Sequence, residues 1–309
     1  MRWLDDAYVR WVPRAPVFPD GWGDEVIYST PLDPGLRDET PAPAAITWTR
    51  ARTHGGARLS EGWFQSPDAD LPPEARIARV KRIAPRDRPS VGSVVMLASW
   101  NDEGFEDRSR FAARAVAHGV TALILENPFY GRRRRVGQRG PRLRTVADFV
   151  AMGRATVLEA RALMAWARRD GPRVGVAGFS MGGQMAGLSA SLCPWPVRAV
   201  LVASAISPAR VFFDGPLHAD VRRAPLGPDG LGRLRDVMES FSLLDLPPPR
   251  DPSLARLVGT RADAIVPPGD TRAIARHWGA PARYLDDGHV SAVVFRPHAM
   301  GQAIADAFA

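Results

Sequence analysis

Short apolar runs recur along the 309-residue chain with longer amphipathic stretches between them. Ser93–Ala98, Val120–Glu126, Val174–Ala177, Val197–Ala203, Leu254–Thr260 and Ala282–Leu285 have the length and continuity of strands buried on both faces. Between them, Arg108–His118, Thr145–Arg169 and the stretch after Ser180 read as helices. Ala45–Thr49, Arg58–Gln65 and Ile77–Ile83 read as leading strands, after a Pro- and Trp-rich stretch up to about residue 40. Strands alternating with helices at this spacing imply βαβ units and an α/β fold with a mostly parallel sheet, which binds ligands beyond the carboxyl ends of its strands. The alternation stops over 204–252. That segment, with one predicted helix (Asp229–Ser242) and a Pro-rich end, reads as a cap or lid inserted in a single domain spanning 1–309.

One junction carries a recognisable chemistry. Gly178-Phe179-Ser180-Met181-Gly182 stands between a predicted strand and a predicted helix. This is the setting of a nucleophile elbow, where glycines flank a serine whose hydroxyl projects clear of the sheet. Gly183 extends the glycine cluster. Met181 begins the helix, so its backbone N–H is free to stabilise an oxyanion. The partners of such a serine follow in the order acid, then histidine, from loops after later strands. Asp263 follows the strand Leu254–Thr260, and His289 follows Ala282–Leu285 across the turn Asp286-Asp287-Gly288. Asp286 and Asp287 are either turn formers or substitutes for Asp263 as the acid. Of the six histidines, only His289 has a position just after a strand near the carboxyl terminus. The second oxyanion donor is expected from the backbone N–H of Ser99 or Trp100, after the strand Ser93–Ala98. Asn101 and Asp102 beside them are either pocket or turn residues.

Composition narrows the function. The net charge of +8 raises the question of nucleic acid, but Lys81 is the only lysine among 41 basic residues and no nucleic-acid-binding motif accompanies the charge. Metal-ligand spacings and dinucleotide fingerprints are absent, so neither cofactor nor metal is expected. The single Cys193 excludes an internal disulfide and reads as inert packing in a reducing, cytoplasmic setting. No apolar run reaches the ~18 residues of a membrane span, and Met1–Pro16 lacks the apolar core of a signal peptide. Trp3, Leu4, Ala7, Tyr8, Trp11 and Val12 share one helical face, which either covers the core or makes peripheral membrane contact.

Two stretches bear on substrate. Phe212, Phe213, Leu217, Leu243 and Leu244 of the cap segment either line an acyl pocket or pack the cap. The loop Asn127–Gln138 leaves a strand at the edge that carries Ser180 and holds four consecutive arginines, 132–135. Arginine forks bind phosphate or carboxylate. Arg133 and Tyr130 are therefore candidate contacts to an anionic acyl substrate, against the alternative of a solvated basic loop.

At this loop the chain resembles a known family. Ala98–Phe105, Glu126–Gly131 with Arg133 and Gln138, Val146–Phe149 with Met152-Gly153, Ser180–Ala186 and Gly288-His289-Val290 together are similar to the α/β-hydrolase domain-containing protein 18 family, as is Gly21-Trp22-Gly23. The resemblance implies an α/β-hydrolase fold, a triad carried onto Ser180, Asp263 and His289, and an ester or lipid substrate. Two departures stand out. Ala98-Ser99-Trp100-Asn101-Asp102 replaces the family's usual Ala-Gly-Thr-Gly-Asp, and Arg134-Arg135 stand where a proline is common. The expectation is a serine hydrolase acting on an ester or thioester through an acyl-enzyme. A peptidase of the same fold and a non-catalytic binding module are the alternatives.

Overall fold

The computed structural model describes residues 2–11, 16–30 and 32–309. Among them ten strands form one sheet: β1 (Thr47–Trp48), β2 (Arg52–His54), β3 (Ala57–Gln65), β4 (Ile77–Pro85), β5 (Gly92–Leu97), β6 (Val120–Leu125), β7 (Val174–Phe179), β8 (Arg198–Val202), β9 (Arg256–Thr260) and β10 (Ala282–Leu285). Their order is β1-β3-β4-β6-β5-β7-β8-β9-β10, with β2 paired to β3. From β6 through β10 every neighbouring pair is parallel, and the leading strands are antiparallel. The order reverses between β5 and β7, which opens a crevice at the carboxyl ends of those strands.

The helices are α1 (Arg2–Trp11), α2 (Glu25–Tyr28), α3 (Glu106–Ala117), α4 (Val146–Ala167), α5 (Met181–Ser191), α6 (Ala209–Phe212), α7 (Gly230–Glu239), α8 (Pro268–Trp278), α9 (His289–Phe295) and α10 (Pro297–Phe308). Residues on the central strands alternate between two cores, as the period of two requires. Val95, Leu97, Leu123 and Val176 face α4, α5 and α8, whereas Val94, Met96, Ile124 and Ala177 face α3 and α10. The Thr145 side chain caps α4 by accepting from the Asp148 N–H, and Asp148 answers with its own side chain. Nearly all of α4 is buried because the Pro- and Trp-rich stretch wraps over it. The N–H groups of Val146 and Ala147 donate to the carbonyls of Gly21 and Trp22, and Ala44 N–H donates to Ala162 O.

Three sequence expectations change. β2 is exposed at all three positions, so no apolar alternation marks it. The helix expected over Asp229–Ser242 is the shorter α7, and the preceding stretch adds α6 and two short 3-10 turns. In α1 the buried position is Asp5, while Trp3 and Trp11 are 64% and 76% exposed. The helix therefore does not turn its tryptophans to the core, and Val12, placed on the same face, lies outside the described residues.

Candidate active site

Ser180 occupies the junction of β7 and α5 with φ 56° and ψ −122°, a conformation that costs a non-glycine residue on the order of 1–3 kcal/mol. The neighbouring glycines make that turn possible. A Cβ on Gly178 would lie 2.1 Å from the Gly182 carbonyl, and one on Gly182 would lie 2.5 Å from the Leu97 carbonyl oxygen. Ser180 N–H donates to Val202 O at 2.8 Å, which ties the elbow to β8. Met181 opens α5, so its N–H has no acceptor within the helix.

Two loops bring side chains to this serine. His289 Nε2 lies 3.0 Å from Ser180 Oγ, and His289 Nδ1 lies 2.8 Å from Asp263 Oδ2. Asp263 also accepts from Thr260 Oγ1 at 2.6 Å and from the N–H groups of Ile265 and Val266 at 2.9 and 2.8 Å. Burial by itself pushes the Asp263 carboxyl upward. The facing His289 and these hydrogen bonds outweigh it and hold the carboxyl below its ordinary value. The two neighbouring aspartates point elsewhere. Asp286 is exposed and pairs with Arg261, and Asp287 is buried and pairs with Arg296.

Ser180 and His289 border a cavity of about 580 Å³, within the ordinary range for small-molecule sites. Its wall is largely apolar: Trp100, Phe149, Met152, Met185, Phe212 and Phe241 contribute. Phe212 meets Trp100 edge-on, with ring centroids 5.4 Å apart, and meets Phe149 similarly at 6.3 Å. Ser99, Trp100, Asn101 and Met181 line the same space. Of the other cap residues singled out from the sequence, only Leu217 reaches it. Phe213 stacks under the Arg235 guanidinium, and Leu243 is buried beside Gly187.

A family model described as alpha/beta hydrolase domain containing 18 matches residues 16–226 and 231–309. The chain belongs to this family. Among solved structures it is similar to acetyl xylan esterase 1 from Thermoanaerobacterium sp., with 14% identity, 96% of this chain and 97% of that chain covered, and a TM-score of 0.60. It is also similar to an acetyl xylan esterase from a Paenibacillus species (14% identity, 92% and 93% covered, TM-score 0.55). A third is Est1E from Butyrivibrio proteoclasticus, solved with ferulic acid (13% identity, 84% and 97% covered, TM-score 0.55). At these identities the likeness shows the α/β-hydrolase fold.

The arginine loop expected to contact substrate does not line this cavity. Arg133 is completely buried, its guanidinium donating to both carboxylate oxygens of Glu159, to Glu126 O and to Ala75 O. Tyr130 is also fully buried, and its hydroxyl accepts from Asn101 N–H at 3.4 Å. Neither borders the cavity, because the loop folds inward as a brace. Arg135 pairs with Asp148, and Arg134 pairs with Glu103, whose carboxylate also accepts from Gly131 N–H. The loop after β5 is thereby held from behind. Asp102 lies 2.8 Å from the buried Arg108 guanidinium, and burial raises its carboxyl above the ordinary range despite that cation. The arginine that does line the cavity is Arg142.

Sequence reasoning missed the part played by α1. Tyr8 lines the cavity, and the Asp5 carboxylate accepts from the N–H groups of Ala264, His289 and Val290. Nothing local in the sequence signals a contact across more than 250 positions. Cys193 is buried and its thiol is pushed up to about 12 by burial, which leaves it inert at neutral pH. Among the described residues no group of three or more His, Cys, Asp or Glu side chains is arranged to hold a metal, and no helix is long and apolar enough to cross a membrane.

Proposed function

We propose that this hydrolase cleaves an ester or thioester with an apolar acyl group, using Ser180 as nucleophile, His289 as general base and acid, and Asp263 as the group that orients the imidazole. The observation that carries the reading is the continuous chain Asp263–His289–Ser180 at the edge of an apolar cavity. With Nδ1–H donating to Asp263, Nε2 is left to accept the Ser180 hydroxyl proton. Oγ then forms a bond to the carbonyl carbon, and the carbonyl oxygen takes the developing charge. The N–H groups of Met181 and of Ser99 or Trp100 stabilise that oxyanion; one such donor is typically worth about 10²–10³ in turnover. Collapse expels the alcohol or thiol, which receives the proton from His289, and leaves an acyl-serine. Water attacks this ester by the same route in reverse and restores the enzyme.

The cap segment over 204–252 supplies Ala205, Pro208, Val211, Phe212, Leu217 and Phe241 to the cavity wall. It acts as a lid that excludes water and shapes the acyl site. The test is turnover of chromogenic esters of increasing chain length by the wild type and by Ser180→Ala. The reading expects hydrolysis by the wild type and its loss in the variant. Equal background rates for both folded proteins would replace it with a non-catalytic binding role.

A further inference from the structure

We infer that Asp5 is a positioning residue of the hydrolytic site: through its carboxylate, α1 locks the loop of the acid to the loop of the base. This inference rests on the assignment of Asp263 and His289 proposed above. Asp5 Oδ2 accepts from Ala264 N–H at 2.9 Å and from His289 N–H at 2.7 Å, and Oδ1 accepts from Val290 N–H at 2.8 Å. Ala264 is the residue after Asp263, and Val290 is the residue after His289. A single side chain thus holds the main chain beside the acid and at the base. It does so from a helix that lies before the family-matched span, which starts at residue 16.

Burial and fit point the same way. Asp5 has no exposed surface at all. A buried carboxylate is costly unless its charge is answered by hydrogen bonds, and here three backbone donors answer it with charge-assisted bonds. His289 and Val290 open α9, so their N–H groups have no acceptor within that helix. Gly288 makes room, since a Cβ there would stand 2.8 Å from the Asp5 carboxylate. Elsewhere α1 docks through Tyr8 and Val9 against the apolar group that includes Ala205, Ile265 and Val266.

His289 is held at three points: ring Nδ1 by Asp263, ring Nε2 by Ser180 and the main-chain N–H by Asp5. Without Asp5 the two loops keep their direct bonds from Arg261 N–H to Leu285 O and from Ala262 N–H to Asp287 O, but Ala264, His289 and Val290, nearest the reacting side chains, lose their shared acceptor. A displacement on the order of 1 Å costs about 10²-fold in rate. Asp5→Ala removes both carboxylate oxygens and with them all three hydrogen bonds. Asp5→Asn keeps the shape but sets an amide N–H₂ against at least one N–H donor, so its effect is intermediate.

The experiment measures three things for the wild type, Asp5→Asn and Asp5→Ala: the rate of fluorophosphonate labelling, kcat and KM on one chromogenic ester, and thermal unfolding. Proton NMR then follows the downfield signal of the hydrogen bond between His289 Nδ1–H and Asp263. We expect labelling and kcat to fall together by about 10²-fold in Asp5→Ala and less in Asp5→Asn. KM should stay near the wild-type value, and the downfield signal should weaken in the same order. If Asp5→Ala does not fold, Asp5→Asn carries the test. Folded variants labelled at the wild-type rate, with only a lowered Tm, would make Asp5 a simple anchor for α1 and overturn the inference alone. A wild type that resists labelling would overturn the hydrolase reading and this inference with it.

Discussion

In the proposed mechanism Ser180, His289 and Asp263 depend on one another for their chemistry, and each deletion has its own signature. Ser180→Ala should lose ester turnover while keeping its Tm, because it removes only an oxygen from a half-buried position. Asp263→Asn should cost about 10⁴ in kcat by spoiling the tautomer of the imidazole, as read from steady-state rates. Asp263 also predicts an acid response. Its folded carboxyl is held below the ordinary value, so the unfolded chain takes up that proton first as pH falls. The stability it contributes is complete above about pH 4 and is lost as pH drops through the lower folded value. Tm measured against pH should therefore fall more steeply in that range for the wild type than for Asp263→Asn. These residues were legible in the sequence because each follows a strand in a required order. Asp5 was not legible, because its partners are backbone groups that any sequence would offer.

The loop that follows β6 shows what a charge run conceals. Four consecutive arginines suggest an anion site, yet Arg133 and Glu159 form a buried pair whose side chains are 1% and 0% exposed. Removing one member of such a pair leaves the other charge buried alone, at a cost of about 3–5 kcal/mol. Arg133→Ala should lose roughly that much in denaturant unfolding, whereas the ratio of its kcat/KM values on anionic and neutral esters should match the wild type. A selective loss on the anionic ester would return the loop to the substrate. The central strands and their helices were readable from apolar runs, since parallel strands buried on both faces carry little else. Polar β2 and the short helical pieces ahead of α7 in the 204–252 segment were not, because they are too short or too polar to leave a periodic mark. Of the cap-segment residues singled out from the sequence, only Phe212 and Leu217 line the cavity, while Phe149 and Met152 of its wall come from α4.

At the scale of the molecule, the fold gathers residues from positions 8 to 294 around one cavity. The switch in strand order between β5 and β7 sets Ser180 beside the loop after β5, and the loops after β9 and β10 deliver Asp263 and His289. The apolar wall predicts a preference that responds to volume. Phe212→Ala, which removes a ring packed against Trp100 and Phe149, should shift the optimum of an acyl-chain series toward longer or bulkier esters. An unchanged optimum would place the acyl group elsewhere. The central claim is that the alcohol of Ser180 attacks, and it is tested most directly by intact-mass and peptide mapping after exposure to a fluorophosphonate. The account predicts one adduct per chain, located on Ser180 and absent from Ser180→Ala and from wild type unfolded beforehand. An adduct on any other residue, or none on folded wild type, would contradict it.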